Sequence, residues 1–196
     1  FLLGFSDVSA ILLSRLAAGF DGGIHGPLIT SLAKEPDWSK DRLRALLFGE
    51  PIPELNGEGW HEGIAEGPLV VCNLTVATHL LGSRHMPELK DAILVLEDIN
   101  EEPYKIDRML TQWRLSGNLQ KVSGLAFGNF KDCETSEENN IRTFKLNDVL
   151  KNRTMDLNIP VLSNLPVGHL AGNAALPLGK KARLNANNGT LSTYSF

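Results

Sequence analysis

The apolar run Ala92-Ile93-Leu94-Val95-Leu96 does more than any other stretch to limit the folds open to this chain. It is too short for a helix and lacks polar alternation, so it fits a strand covered on both faces, as strands in parallel sheets are. Its flanks agree. Downstream, Pro103 stands where the first turn of a helix tolerates proline, Ile106, Met109, Leu110 and Trp113 recur at helical spacing, and Gly117 marks a stop. Residues 122–127 then read as a further strand. Upstream, residues 68–72 form a strand, and Asn73 caps a short helix that runs through Leu81 to a stop at Gly82. Strands alternating with helices place the chain in the α/β class.

The two ends extend this pattern. Phe1-Leu2-Leu3 reads as the tail of a buried strand, and Val8, Ile11, Leu12 and Leu16 follow helical spacing up to a cap at Gly19. The chain around Ser6 is therefore strand, tight turn, helix. Asp21-Gly22-Gly23 is a turn, and His25-Gly26-Pro27 begins a loop. Ser39 is expected to cap a helix carrying Leu43, Leu46 and Leu47, ended by Gly49. Residues 51–67 are rich in Gly, Glu and Pro and read as a linker or exposed ribbon, the best internal boundary between a unit 1–50 and a unit 68–196. Residues 133–140 form a polar loop, followed by a short helix over 146–150 and a short strand at 161–162. Residues 181–196 form a terminal hairpin turned at Asn188-Gly189. The α/β core is thus finished by antiparallel strand pairs.

Composition excludes several classes. A length of 196 residues suits one large domain or two small ones, and 42% hydrophobic residues is ordinary for a globular protein. A net charge of -4 and a pI near 5.7 give no basic footprint for a nucleic-acid partner. No apolar run approaches the roughly 18 residues of a membrane span, and no basic flank precedes Phe1 as in a secretory signal. Cys72 lies in an apolar run and Cys133 in a charged loop, which argues against a disulfide framework or a zinc site and for a reducing, cytoplasmic setting.

The candidate chemistry sits at the edges of the apolar runs, as Ser6, Glu97 and His169 in chain order. These are the parts of a hydroxyl nucleophile, its base and the base's orienter. A serine on a strained strand-to-helix turn is exposed, and a helix N-terminus behind it favours developing negative charge. Gly4 supplies one glycine of such an elbow, while Val8 stands where G-x-S-x-G has the second. Ser6 or Asp7 also fits an ordinary helix cap. Glu97 ends an apolar strand, where α/β enzymes place working side chains; the bland reading is a solvated edge of the acidic segment 97–102, with Glu101 and Glu102 as substitutes. His169 lies in a glycine-flanked loop past a strand, and His25, His61, His79 and His85 compete with it. Of these, His79 is expected to pack within a helix, and His61 and His85 to lie on surface loops.

Several stretches together resemble the LD-carboxypeptidase family, which includes the microcin-immunity peptidases. They are Gly4-Phe5-Ser6-Asp7-Val8-Ser9-Ala10, His25-Gly26-Pro27, the long segment 96–110 from Leu96-Glu97-Asp98 to Arg108-Met109-Leu110, and Leu165-Pro166-Val167-Gly168-His169. Supporting matches are Glu66-Gly67, Asn73-Leu74, Gly128-Asn129-Phe130 and Leu176-Pro177-Leu178-Gly179. The resemblance implies Ser6 as nucleophile, Glu97 and His169 as its triad partners, and the backbone N–H of Asp7 as an oxyanion donor. It also implies removal of the terminal D-alanine from murein tetrapeptides in cytoplasmic cell-wall recycling, by a homodimer without metal or other cofactor. Residues 1–50 then correspond to the C-terminal part of a parallel-sheet nucleophile domain. Residues 68–196 correspond to a mixed α/β C-terminal domain, with antiparallel or barrel-like strands, that carries Glu97 and His169.

Two departures stand out. Family members carry paired glycines where Val71 and Cys72 precede Asn73, and the family's N-terminal part, with a second oxyanion donor, precedes the region of Ser6. Alternative readings are a hydrolase of peptide–nucleotide conjugates, as in the microcin-immunity branch, with Trp60 as the ring over the base, or a noncatalytic fragment of such an enzyme. Tyr104 and Arg108, within the most specific stretch, read as a helix-face contact or as a substrate anchor.

Overall fold

Strand-forming and helix-forming segments alternate along the computed structural model, which describes residues 1–134 and 144–194. In chain order they are β1 (Leu2–Gly4), α1 (Ser9–Ala17), β2 (Gly23–His25), α2 (Asp37–Leu47), β3 (Leu55–Asn56), β4 (Glu58–His61), β5 (Ile64–Asn73), α3 (Leu74–Leu80) and β6 (Ile93–Ile99). Then follow α4 (Pro103–Leu115), β7 (Gly124–Lys131), α5 (Leu146–Asn152), β8 (Val161–Ser163), β9 (Leu176–Pro177), β10 (Lys181–Asn185) and β11 (Thr190–Thr193). The polar loop expected at 133–140 lies mostly outside the described residues.

The fully apolar run becomes β6, paired in parallel with β5 on one side and β7 on the other. Both of its faces are covered, with Ile93 to Leu96 fully buried. Helices α3, α4 and α5 lie in the connections of the parallel series β5, β6, β7, β8, since parallel neighbours need a crossover. Trp113 of α4 is buried and donates its indole N–H to Thr78 Oγ1 of α3 at 2.9 Å. Pro103 opens α4, as its position predicts, and Asn73 caps α3 by accepting from the Val76 N–H at 3.0 Å.

Antiparallel strands extend the parallel core on both sides, giving the order β3-β11-β10-β5-β6-β7-β8-β4. The terminal hairpin forms as expected, β10 against β11. The two ends of this order, β3 and β4, are consecutive in the chain and separated only by Gly57, so the sheet curls until its edges nearly meet. The reading of 51–67 as a linker is corrected here: the segment holds β3, β4 and the start of β5. Its glycines serve close approach instead. The Gly57 N–H donates to Gly189 O at 2.8 Å, and a side chain at Gly59 would collide with the Ala186 carbonyl. Composition alone does not separate a flexible glycine from one that lets two backbones touch.

A second, three-stranded sheet has the order β1-β2-β9, with β1 parallel to β2 and β9 antiparallel to it. β9 comes from beyond His169, so residues 1–50 and the C-terminal region share a sheet. Ser39 is also corrected: Pro36 is the N-cap of α2, and Ser39 lies buried inside the helix, donating to Asn173 O at 2.9 Å. Arg42 follows it on the same face and donates from Nε to Ala175 O at 2.9 Å. Most of the core is one cluster around β5 to β8, with a smaller one around Ile24, Leu43, Leu46 and Ala175.

Candidate active site

Ser6 occupies the turn between β1 and the 3-10 turn Ser6–Val8 that runs into α1. Its φ is 58°, a left-handed conformation that a non-glycine residue adopts only when its surroundings enforce it. Phe5 before it is extended, at φ -150° and ψ -172°. The strained elbow expected from Gly4-Phe5-Ser6-Asp7 is therefore present, half-burying Ser6 and setting the Asp7 N–H in the first turn after it. Among the described residues Ser6 Oγ makes no hydrogen bond.

Glu97 lies toward the C-terminal end of β6 and is fully buried. The register between β6 and β7 slips beside it, for Leu96 faces Phe127 while Asp98 faces Phe130, and such irregularities re-aim side chains. His169 Nδ1 and Glu97 Oε2 are 2.8 Å apart, with the imidazole 14% exposed. With Glu97 ionised, Nδ1–H donates to the carboxylate, which leaves Nε2 free to act as a base. Burial alone would push the Glu97 carboxyl up, but the hydrogen bond from His169 and the nearness of His25 outweigh it and hold the group well below the usual carboxylate range. The bland reading of Glu97 as a solvated edge does not hold. Glu101 and Glu102 instead face Lys105, at 3.4 and 3.8 Å.

The loop after β8 is built to deliver His169. It continues along β7, with the Leu165 N–H on Phe127 O at 3.1 Å and the Asn129 N–H on Val167 O at 2.8 Å. Gly168 then turns at φ 115°, where a Cβ would lie 2.7 Å from Glu97 Oε2. Only glycine allows the backbone so near the carboxylate. From the other side, Asn173 Oδ1 accepts from the Gly168 N–H at 2.9 Å. Glu35 Oε2 accepts from the N–H groups of Gly172 and Asn173 at 2.7 and 3.1 Å.

The elbow and the imidazole meet through Phe5. Its ring contacts His169 edge-on at a centroid distance of 4.7 Å and His25 at 6.2 Å. A second link runs behind the site. The Asn73 N–H donates to Ser9 Oγ of α1 at 3.1 Å, and Asn73 Nδ2 donates to Asp98 Oδ1, beside Glu97, at 3.0 Å. Thr75 fills the other Asp98 oxygen from its N–H at 2.9 Å and its hydroxyl at 2.7 Å. Val71 and Cys72, on opposite faces of β5, are both fully buried, and burial followed by the charges of Glu97 and Asp98 pushes the Cys72 thiol up and away from reactivity.

The other histidines separate cleanly. His61 sits on β4 with Nδ1 2.7 Å from Ile159 O, and His85 is exposed. His79 was expected to pack; it is exposed, its Nδ1 2.7 Å from Thr75 O one turn back. His25 is fully buried, with Nε2 3.9 Å from Glu97 Oε1. In the sequence His25 stands only as one of the competitors of His169 and as part of the His25-Gly26-Pro27 match; Glu35 gives no signal because its partners are backbone groups far away in the chain, and no motif marks the Asn173 side chain for the Gly168 N–H five residues back. Arg108 lies over the Tyr104 ring at 4.8 Å, which is the helix-face contact. Asp107 pairs with Arg153, the residue that follows α5, at 2.7 Å.

A cavity of about 300 Å³ opens beside the His169 loop, lined by Trp60, Phe130, Asn129, Asn164, Pro166 and Leu170 among others, with no acidic or basic side chain among the described residues. The profile of the LD-carboxypeptidase C-terminal domain matches residues 66–184, more than half of the chain and inclusive of Glu97 and His169. The chain belongs to the LD-carboxypeptidase family. It is 49% identical over 191 residues to a Synechocystis sp. protein named "Putative carboxypeptidase slr1534", covering 97% of this chain and 62% of that protein. To the murein tetrapeptide carboxypeptidase of Pseudomonas aeruginosa it is 32% identical, covering 95% of this chain and 63% of that one. The crystal structure of muramoyltetrapeptide carboxypeptidase from Oxalobacter formigenes superposes with a TM-score of 0.86 at 30% identity, over 99% of this chain and 68% of that one. The chain thus spans under two thirds of the length of both curated relatives. Among the described residues, no helix is long and apolar enough to cross a membrane.

Proposed function

We propose that the protein carrying this chain is a serine-type LD-carboxypeptidase that releases the terminal D-alanine of murein tetrapeptides, as the names of its relatives suggest. Ser6 Oγ attacks the carbonyl carbon before D-alanine while its proton passes to His169 Nε2. The tetrahedral oxyanion is stabilised by the Asp7 N–H. Collapse breaks the amide, the proton moves from His169 to the leaving amine, and water activated by the same imidazole hydrolyses the acyl-enzyme. Glu97 keeps His169 in the required tautomer and stabilises the imidazolium formed in each half-reaction. The carrying observation is the 2.8 Å contact of His169 with a buried carboxylate, with the His169 ring 4.7 Å from that of Phe5, the residue before a serine held at φ 58°.

The cavity beside the His169 loop, polar but without charge among its described lining residues, suits the amide-bearing body of the peptide. The reading on peptide–nucleotide conjugates needs an open aromatic face at Trp60. Lys151 Nζ lies over that ring at 4.8 Å and Phe127 packs against it at 5.9 Å, which favours the tetrapeptide. Assembly as a homodimer acting in cytoplasmic murein recycling belongs to the same proposal.

The test is Ser6→Ala in the complete protein, assayed by D-alanine release from a murein tetrapeptide. A fall of about three orders of magnitude or more is expected. Activity within tenfold of the parent removes Ser6 from the role.

A further inference from the structure

Glu97 has two oxygens, and only one is accounted for. Oε2 takes the bond from His169, while Oε1 is buried without a hydrogen-bond partner among the described residues. Buried carboxylate oxygens are rarely left so, because desolvation is not returned. Facing it is His25, also fully buried, with both ring nitrogens unpartnered among the described residues and Nε2 3.9 Å from Oε1. Two unsatisfied polar groups face each other at the centre of the site.

His25 also has a telling topological position. It ends β2 and is the register partner of Gly4 on β1, two residues before Ser6. Ser6 hangs from the three-stranded sheet, whereas Glu97 belongs to the curled eight-stranded one. A bond from His25 to Glu97 would join the strand pair that carries the nucleophile to the carboxylate that orients the base.

We propose that His25 is a positioning residue: its buried imidazole donates from Nε2 to Glu97 Oε1, fixes the carboxylate on both oxygens, and ties the Ser6 sheet to the His169–Glu97 pair. The bond needs a closure of about 1 Å from the observed separation. Phe5, edge-on to both imidazoles, caps the arrangement on the Ser6 side. With Oε1 held, Glu97 cannot rotate away from His169, so the Nδ1 bond keeps the imidazole in one orientation. His25 touches neither substrate nor the reacting atoms.

This inference rests on the proposed triad, and its experiment separates the two. In the complete protein, His25→Gln keeps a side-chain donor within reach of Oε1, while His25→Phe fills the same space without one. The Gln variant is expected to keep kcat within about fivefold, and the Phe variant to lose roughly 10- to 100-fold in kcat with KM nearly unchanged. The downfield proton NMR resonance of the His169 Nδ1–H, bonded to the carboxylate, should persist in His25→Gln and broaden or vanish in His25→Phe. A packing role predicts the reverse order, because the aromatic ring fills the site better, and Phe equal to or better than Gln overturns the proposal. If His25→Phe does not fold, His25→Asn, whose amide is too short to reach, takes its place: Asn equal to Gln in both readouts overturns it. If the parent protein releases no D-alanine, the tetrapeptide reading fails, while the resonance still decides the role of His25.

Discussion

Glu97 combines full burial with a charge, and at the scale of a single residue that combination governs both activity and acid stability. Replacing it with Gln removes the negative oxygen and lets the amide donate, which favours the wrong tautomer of His169. A loss of about 10³–10⁴ in kcat is expected from steady-state kinetics, with KM little affected. The same residue predicts a pH dependence. Its pKa in the folded protein is depressed from 4.5 to about 2, so the unfolded chain binds the proton first. The stabilisation is complete above the unfolded value and is lost as pH falls through the folded one. Urea midpoints measured between about pH 2 and 6 should drop along this limb in the parent, and drop less steeply in Glu97→Gln. Gly168 is the other residue-scale constraint. Gly168→Ala forces a Cβ toward Glu97 Oε2 at a backbone angle that disfavours it, and a lower kcat together with a lower melting temperature should follow.

Among the elements, α3 carries one side chain that does two jobs. Asn73 caps the helix through Oδ1 and binds Asp98 through Nδ2, so Asn73→Ala removes a cap and leaves one Asp98 oxygen short of a donor. A destabilisation of about 1–2 kcal/mol is expected, read as a shift in the denaturant midpoint at constant m. Legibility differed between these elements for physical reasons. Asn73 and Pro103 act on their own helices, so their roles are visible in local order, and both stand as expected. Ser39 looked like a cap because serine before a helical pattern usually is one. It instead satisfies Asn173 O, a partner from the far end of the chain that no local pattern contains. His79 misleads in the opposite way: a histidine inside an apolar helix suggests packing, but its position on the helix faces solvent.

Across the whole molecule, two sheets that meet at Glu97 divide the work. The small sheet holds the Ser6 turn, the curled sheet holds Glu97 and leads into the His169 loop after β8, and segment 35–42 ties down residues 172–175 at the far end of that loop. Closure of the large sheet depends on the seam at 57–59. Gly59→Val drives a side chain into the Ala186 carbonyl, and a loss of about 1–3 kcal/mol is expected in thermal or urea unfolding. A melting temperature equal to the parent's would show that the seam yields freely.

What the amino-acid order determined by itself is the parallel core, because buried strands declare themselves by unbroken apolar runs. Ser6, Glu97 and His169 each sit where such a run or its turn ends, but so do competing residues, and only the family resemblance picks these three out as a candidate triad. The curled seam, the clamp from Glu35 through Asn173 to Gly168, and the confrontation of His25 with Glu97 were decided only by tertiary structure. Each joins groups separated by scores of residues, and a backbone carbonyl or a close glycine contact leaves no mark in composition.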